Sequence, residues 1–314
     1  MTLKNIAGAL KILLNEWSSR SVGDHAGSAV TAKGDATLAA VNDINLNTMD
    51  KSSHQTSGKN QADSNNATRT VVSSGGDLTL SAGRDLNSQA AQLTADLNAS
   101  LSAGRDVNLN AQQTSTYSET HGSKSVSIRE NVGQEGTAVV SGVSTSIAAG
   151  RDITTQAAQV QATGDLALNA GRDVNITTAQ ESQYSYDEKT KTKKHLFSGT
   201  TTHTVAEDYA TTEKASQLSG DKVSIVAGQD LTVKGSSVVG DGDVTLKAGK
   251  DLSITAATEE QSSYRLSETK TSGMFNALVD LVHGANSRSG LAPRVRESTE
   301  VGAAPPGDHR EDHS

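Results

Sequence analysis

The 314-residue chain carries 28 Lys and Arg against 36 Asp and Glu, a net charge of −8, so its charge balance supports neither a nucleic-acid partner nor an anionic membrane. Cysteine is absent, which excludes disulfides and thiol chemistry, and no apolar run approaches the length of a membrane-spanning helix. Only 34% of the residues are hydrophobic and 3% aromatic, too few for a conventional core of this length but enough for a thin aliphatic column covered by Thr, Ser, Asn and Gln.

In chain order, Leu3, Ile6, Ala7, Leu10, Leu14 and Trp17 fall at helical spacing and predict a short amphipathic helix within residues 1–22. Lys11 interrupts its apolar centre and no cleavage site follows. The expectation is therefore a cap over the end of a repeat array rather than a signal peptide, with residues 1–33 forming helix and linker. A first repeat runs from Gly34 to Asn47, followed by a polar excursion over residues 48–69.

The stretch Ser81-Ala82-Gly83-Arg84-Asp85-Leu86-Asn87 then sets the pattern. Ala-Gly-Arg-Asp returns at Ala103–Asp106, Ala149–Asp152 and Ala170–Asp173, and in altered form at Ala227–Asp230 and Ala248–Asp251, with a weaker copy at Ala40–Asp43. The closing aspartates stand 21 residues apart within each pair, as in Asp85 and Asp106, and a fixed period of this size means stacked structural units. On both sides of the Gly-Arg-Asp break, as in Leu166-Ala167-Leu168 and Val174-Asn175-Ile176, apolar residues alternate, which is the strand period. Gly-Asp pairs at Gly76, Gly164 and Gly242 precede such strands and are expected to supply left-handed backbone for a tight turn. A unit of this length with short strands and no helix fits one coil of a parallel β-helix. Stacking would bring Arg84 near Arg105, with the neighbouring aspartates offsetting the repulsion.

After each second coil the sequence leaves the column, near residues 111–143, 179–218 and 257–275. Tyr186 precedes Phe197 by 11 residues and Tyr264 precedes Phe275 by 11, so these insertions are related, and their Thr, Tyr and Val content predicts projecting hairpins. The Lys189–Lys194 run inside one of them is read as a solvated face. Residues 34–275 thus form the repeat region, and 276–314 a short helix and a proline-containing, aperiodic tail expected to be disordered.

No catalytic, cofactor-binding or metal-ligating set emerges. His309-Arg310-Glu311-Asp312-His313 departs from the His-Glu-x-x-His order, and His195 and His203 have no companion ligands in sequence. Gly240-Asp241-Gly242-Asp243 occurs once, whereas a calcium-binding roll needs nonapeptide repeats, so it is read as a turn. The sequons at Asn66, Asn98 and Asn175 are expected by chance in Asn/Thr/Ser-rich text.

The repeated Gly-Asp-Leu-x-Leu-x-Ala-Gly-Arg-Asp-Val-Asn-Ile, the Ala-Gln-x-x-Ser exits and the Tyr-to-Phe insertions together resemble the haemagglutinin repeats of filamentous haemagglutinin-like exoproteins. That group includes large adhesins and contact-dependent growth inhibition toxins. The resemblance implies an all-β, right-handed parallel β-helix, secreted or held at the surface of a Gram-negative bacterium by two-partner secretion. Its partners would be an outer-membrane transporter and a bacterial or host cell-surface receptor, with no nucleic acid and no small-molecule substrate. The implied role is a non-enzymatic filament segment for adhesion or for delivery of a C-terminal toxin. A β-helix polysaccharide-degrading enzyme and a truncated remnant of the exoprotein stand as alternatives.

Overall fold

The computed structural model describes residues 3–6, 10–14, 27–196 and 198–273, and within them every regular element is a strand. The N-terminal stretch gives β1 (Leu3–Ile6) and β2 (Leu10–Leu14). A coil of β3 (Ala29–Ala32), β4 (Ala36–Ala40) and β5 (Ile44–Leu46) leads into a hairpin, β6 (Met49–Ser57) and β7 (Asn60–Thr68). Two coils follow, β8 (Val71–Ser74), β9 (Leu78–Ala82), β10 (Leu86–Gln89) and β11 (Gln92–Ala95), β12 (Ala99–Ala103), β13 (Val107–Asn110), then the hairpin β14 (Gln112–Gly122) and β15 (Ser125–Glu135). The next pair is β16 (Ala138–Ser141), β17 (Thr145–Ala149), β18 (Ile153–Gln156) and β19 (Gln159–Ala162), β20 (Leu166–Ala170), β21 (Val174–Thr177). Its hairpin is β22 (Ala179–Lys194) and β23 (Ser198–Lys214). The last pair is β24 (Gln217–Gly220), β25 (Val223–Ala227), β26 (Leu231–Lys234) and β27 (Ser237–Gly240), β28 (Val244–Ala248), β29 (Leu252–Thr255), followed by β30 (Gln261–Gly273).

Equivalent strands of successive coils pair in parallel and build three sheets, β1-β3-β8-β11-β16-β19-β24-β27, β2-β4-β9-β12-β17-β20-β25-β28 and β29-β26-β21-β18-β13-β10-β5. The result is the expected right-handed parallel β-helix. Alternation decides what fills it. In the second sheet Leu38, Leu80, Leu101, Ile147, Leu168 and Ile225 share one register line and are all buried. Leu86, Val107, Ile153 and Val174 do the same in the third. Each coil therefore contributes only a few aliphatic side chains, which is why so lean a composition suffices.

The N-terminal expectation is corrected. Where residues 1–22 are described they are strands, with Leu10–Leu14 pairing in parallel with Ala36–Ala40 and Leu3 and Ile6 opposite Val30 and Ala32. Leu10, Ile12 and Leu14 also satisfy a period of two, and the backbone groups along β3 and β4 supply a template that overrides helical spacing in so short a segment. The rest of that stretch, and the helix and tail expected over 276–314, lie outside the described residues.

Two further differences are local. The hairpins end at Glu135 and Lys214, earlier than the expected 143 and 218, because Ala138–Ser141 and Gln217–Gly220 already belong to the column. The Gly-Asp turns do not use left-handed backbone; among the described residues positive φ occurs at Gly27, Gly58, Ala90, Ala157 and Gly235. Ala90, Ala157 and Gly235 mark the corner joining the two coils of a pair. Nor does stacking alone demand glycine at the Gly-Asp corner, since Leu97 and Val143 occupy the positions stacked on Gly76, their N–H groups donating to Gly76 O and Leu97 O with both side chains exposed. At that corner side chains cap the next coil's backbone: Asp77 N–H donates to Asp35 Oδ1, Asn98 N–H to Asp77 Oδ1 and Ser144 N–H to Asn98 Oδ1.

Where a hairpin leaves the column, a hydroxyl closes the gap. Thr70, Thr137 and Ser216 are fully buried. They donate respectively to the carbonyls of Asn47 (2.7 Å), Asn110 (3.1 Å) and Thr177 (2.7 Å), the residues at which each coil ends. Each of these carbonyls also accepts a backbone N–H, from Gly27, Ala90 and Ala157 respectively, so the hydroxyl supplies a second bond at the point where the hairpin departs.

Candidate functional site: the charged corner and the hairpin sheet

Each Arg of the Ala-Gly-Arg-Asp corner reaches back one coil rather than to a ligand. Arg84 Nε donates to Asp43 Oδ1, Arg105 to Asp85, Arg151 to Asp106 and Arg172 to Asp152, all at 2.7 Å, while Nη2 closes the fork on Oδ2. The same Oδ1 atoms accept the N–H of the next coil's aspartate, at 3.1 Å from Asp85 to Asp43 and 3.3 Å from Asp106 to Asp85. Arg105, Arg151 and Arg172 also stand 3.7, 3.5 and 3.2 Å from their own coil's aspartate. The charges interleave as the repeat predicts, now as a continuous bidentate ladder. Glycine at the corner is what allows it: Gly83, Gly104, Gly150, Gly171, Gly228 and Gly249 stack so closely that no Cβ fits. The ladder fades where Gln229 and Lys250 replace arginine, and Lys250 Nζ donates to Gln229 Oε1 at 3.1 Å.

The hydrogen bond from Arg84 holds the Asp43 carboxyl below its usual range against the opposing effect of burial. At Asp152 burial pushes upward, but the Arg172 fork and the Asp173 N–H outweigh it and the net direction is again down. A carboxyl with a lowered folded-state value stabilises the fold fully above the unfolded value of about 3.9 and loses that contribution as pH falls through the folded value. The urea midpoint is therefore expected to stay level from about pH 7 to pH 5 and to fall below about pH 4, by less in an Asp152→Asn variant. A level profile down to about pH 2, or a fall already complete near pH 6, would contradict the ladder as a source of stability.

The hairpins are not separate projections. They join edge to edge into one antiparallel sheet, β30-β23-β22-β15-β14-β7-β6. Ser115–Glu119 pair with Gln61–Asn65, Ser125–Val132 with Ser182–Lys189, and Ser198–Ala210 with Gln261–Gly273. All five tyrosines fall on one face, because Tyr117, Glu130, Tyr184 and Tyr209 share one rung and Glu119, Ile128, Tyr186, Glu207 and Tyr264 share another. On that face Tyr117 O–H donates to Glu119 at 2.8 Å and Tyr186 O–H to Glu188 at 3.1 Å, while His121 and His203 approach the same carboxylates at 2.6 and 2.9 Å. Tyr117 and His121 hold Glu119 low, and His203 and Tyr186 hold Glu188 low. Burial and then the Glu188 contact raise the Tyr186 phenol. The opposite face is rich in Ser and Thr and carries Arg129 paired with Asp187 at 2.6 Å and Arg265 paired with Asp208 at 2.7 Å.

Of the residues weighed from sequence, His203 is engaged by Glu188, and His195 sits exposed near the hairpin tip with its N–H donating to Ser198 O at 2.7 Å. Among the described residues no group of three or more His, Asp or Glu is placed to hold a metal ion. Gly240–Asp243 is a turn whose Asp241 and Gly242 N–H groups donate to Gly220 O and Asp221 O of the preceding coil. Phe197, Phe275 and the His309–His313 run lie outside the described residues. A groove of about 330 Å³ at the hairpin roots is lined by Arg69, Glu135, Ala157, Gln159 and Lys214. Its cations already serve the backbone, Arg69 donating to Ala90 O at 2.6 Å and Gly136 O at 2.9 Å, and Lys214 to Gln134 O. Sequence reading missed the joined sheet and its tyrosine-carboxylate-histidine rows. The alternate spacing in Tyr117-x-Glu119-x-His121 and Tyr184-x-Tyr186-x-Glu188 is the signal that places them on one face.

Fold and surfaces define a class first: a structural solenoid whose repeated charges tie coil to coil and whose insertions form a sheet of their own. The chain belongs to the Hemagglutinin repeat family, whose model matches residues 52–146, 129–204 and 197–285. It is 44% identical over 249 residues to a tRNA nuclease CdiA of Escherichia coli, covering 79% of this chain and 8% of that protein. It is 52% identical over 101 residues to a tRNA nuclease CdiA of Yersinia mollaretii, and 47% identical over 100 residues to a 16S rRNA endonuclease CdiA of Enterobacter cloacae. Each of these covers 32% of this chain and 3% of the relative. The chain thus spans less than a tenth of the length of these relatives. No solved structure matches.

Proposed function

We propose that this chain is a filament segment of a secreted or surface-held exoprotein of the adhesin or contact-dependent inhibition type, and that its work is mechanical: it spaces and presents. The observation that carries this reading is the corner ladder, in which the arginines of four successive coils each bind the aspartate of the preceding coil. A polysaccharide-degrading β-helix would need carboxylates free for acid and base work; these are gripped by guanidinium forks. The nuclease activities in the relatives' names belong to those proteins, which this chain matches over 3–8% of their length. Export by two-partner secretion and encounter with a cell-surface receptor are the setting we infer for the parent protein.

Residues 27–273 exchanged for the matching repeats of the Escherichia coli relative should leave that protein on the cell surface and leave growth inhibition of target cells intact. Surface display detected by antibody together with loss of inhibition would overturn the spacer role, because the replaced repeats would then carry specific recognition.

A further inference from the structure

The hairpin sheet is a single layer. Among its described residues only Ala179 and Thr211, both near the column, are buried, and no described element covers either face. Val126, Ile128, Val205 and Leu266 on the tyrosine face are only half-buried. Sheets draw stability from a packed face, and these side chains have none of the described layers to pack against.

The two faces also differ in charge. With the tyrosines stand Asp50, Asp63, Glu119, Glu130, Glu188, Glu207, Glu213 and Glu268, interrupted by Lys194 and Lys270 only toward the outer end. Across the sheet lie Arg129, Lys189, Lys191, Lys193 and Arg265. Asp187 and Asp208 there are each taken by an arginine, and Glu135 and Glu181 near the column are matched in number by Lys51 and Lys214, which leaves the three lysines as surplus positive charge.

We propose that this sheet binds a second copy of the same chain, the acidic tyrosine face of one against the basic Ser/Thr face of the next, so that filaments associate side by side. Contact between two identical faces would set carboxylate against carboxylate or lysine against lysine; opposite faces are complementary. Such a contact is heterologous, and each copy keeps one face open for a further neighbour. It extends the filament reading above without depending on the spacer role.

Sedimentation velocity on the full chain tests this at about 10 mM and about 1 M salt, between which the screening length falls from roughly 30 Å to roughly 3 Å. Association is expected at low salt and is expected to weaken about tenfold or more at high salt. A triple variant Lys189→Glu, Lys191→Glu, Lys193→Glu makes both faces acidic, and Glu130→Lys, Glu207→Lys, Glu268→Lys cancels the net negative charge of the tyrosine face, leaving only the other face charged, and basic. Each variant alone should stay monomeric, while a mixture of the two should associate. A wild-type chain monomeric at low salt overturns the proposal, as do oligomers that persist in either variant alone. Association that does not weaken with salt also overturns it, pointing instead to stacking through the exposed Leu252 and Ile254 at the end of the column. Should a variant fail to fold by circular dichroism, the salt response of the wild type still decides.

Discussion

Gly104→Ala is expected to destabilise the column by about 3 kcal/mol or more, beyond the usual cost of one added methyl group in a packed interior. The new Cβ would lie 2.2 Å from the carbonyl oxygen of Gly83, and that oxygen is backbone, so no side chain can swing aside. Relief requires the two coils to move apart at the corner. That would stretch the Gly104 N–H to Ala82 O bond of 3.0 Å and the fork between Arg105 and Asp85. The same crowding recurs at Gly150 and Gly171, where an added Cβ would again lie 2.2 Å from the preceding corner glycine's carbonyl oxygen, so those positions should respond alike. Gly58 is the control. It has a φ of 63° but nothing within 4 Å of an added Cβ, so Gly58→Ala strains one exposed hairpin turn by about 1–2 kcal/mol and should barely move the column's urea midpoint. Equal midpoints for the two variants would contradict the stacked corner.

Leu101→Ala is expected to cost about 2–5 kcal/mol, since Leu101 is fully buried between Leu80 and Ile147 on one register line and the cavity lies in a column with coils fixed on both sides. Leu246→Ala, on the same line but only partly buried in the last described coil, should cost clearly less. Urea denaturation of both variants reads the difference. Similar losses would mean that the column does not transmit packing from coil to coil as stacked repeats do.

Much of the scaffold is legible in the sequence because its signals are local and repeated. Alternation at Leu166-Ala167-Leu168 marks strands within one coil, and the return of Ala-Gly-Arg-Asp marks how coils stack. The return of glycine in Ala-Gly-Arg-Asp is legible and marks corners where stacking leaves no room for a Cβ, whereas the Gly-Asp pairs suggest left-handed turns that the backbone does not use, and Leu97 and Val143 stack on Gly76 without it. The N-terminal strands are ambiguous because Leu10, Ile12 and Leu14 fit a strand while Leu3, Leu10 and Leu14 fit a helix, and only the partner at Ala36–Ala40 decides. The joined hairpin sheet leaves still less trace. It pairs Ser125 with Lys189 and Ser115 with Asn65 through polar strands that lack a strict apolar alternation, so neither register nor partner is written locally. The rows of Tyr, Glu and His on its one face follow from that pairing and become visible only with it.

The most direct test of the stacked column is a set of spin-label distances along one sheet, in a chain whose lack of cysteine makes site-directed labelling clean. Thr37, Thr79, Ser100, Ser146, Ala167, Ser224 and Thr245 follow one another in register on the outward side of the second sheet. With Thr37→Cys held constant and the second label at Ala167, Ser224 or Thr245, the separations should be narrow and near ~19, ~24 and ~29 Å, one strand spacing of about 4.8 Å added per coil. Broad distributions, or separations that do not grow by one strand spacing from coil to coil, would contradict the β-helix on which the filament role rests.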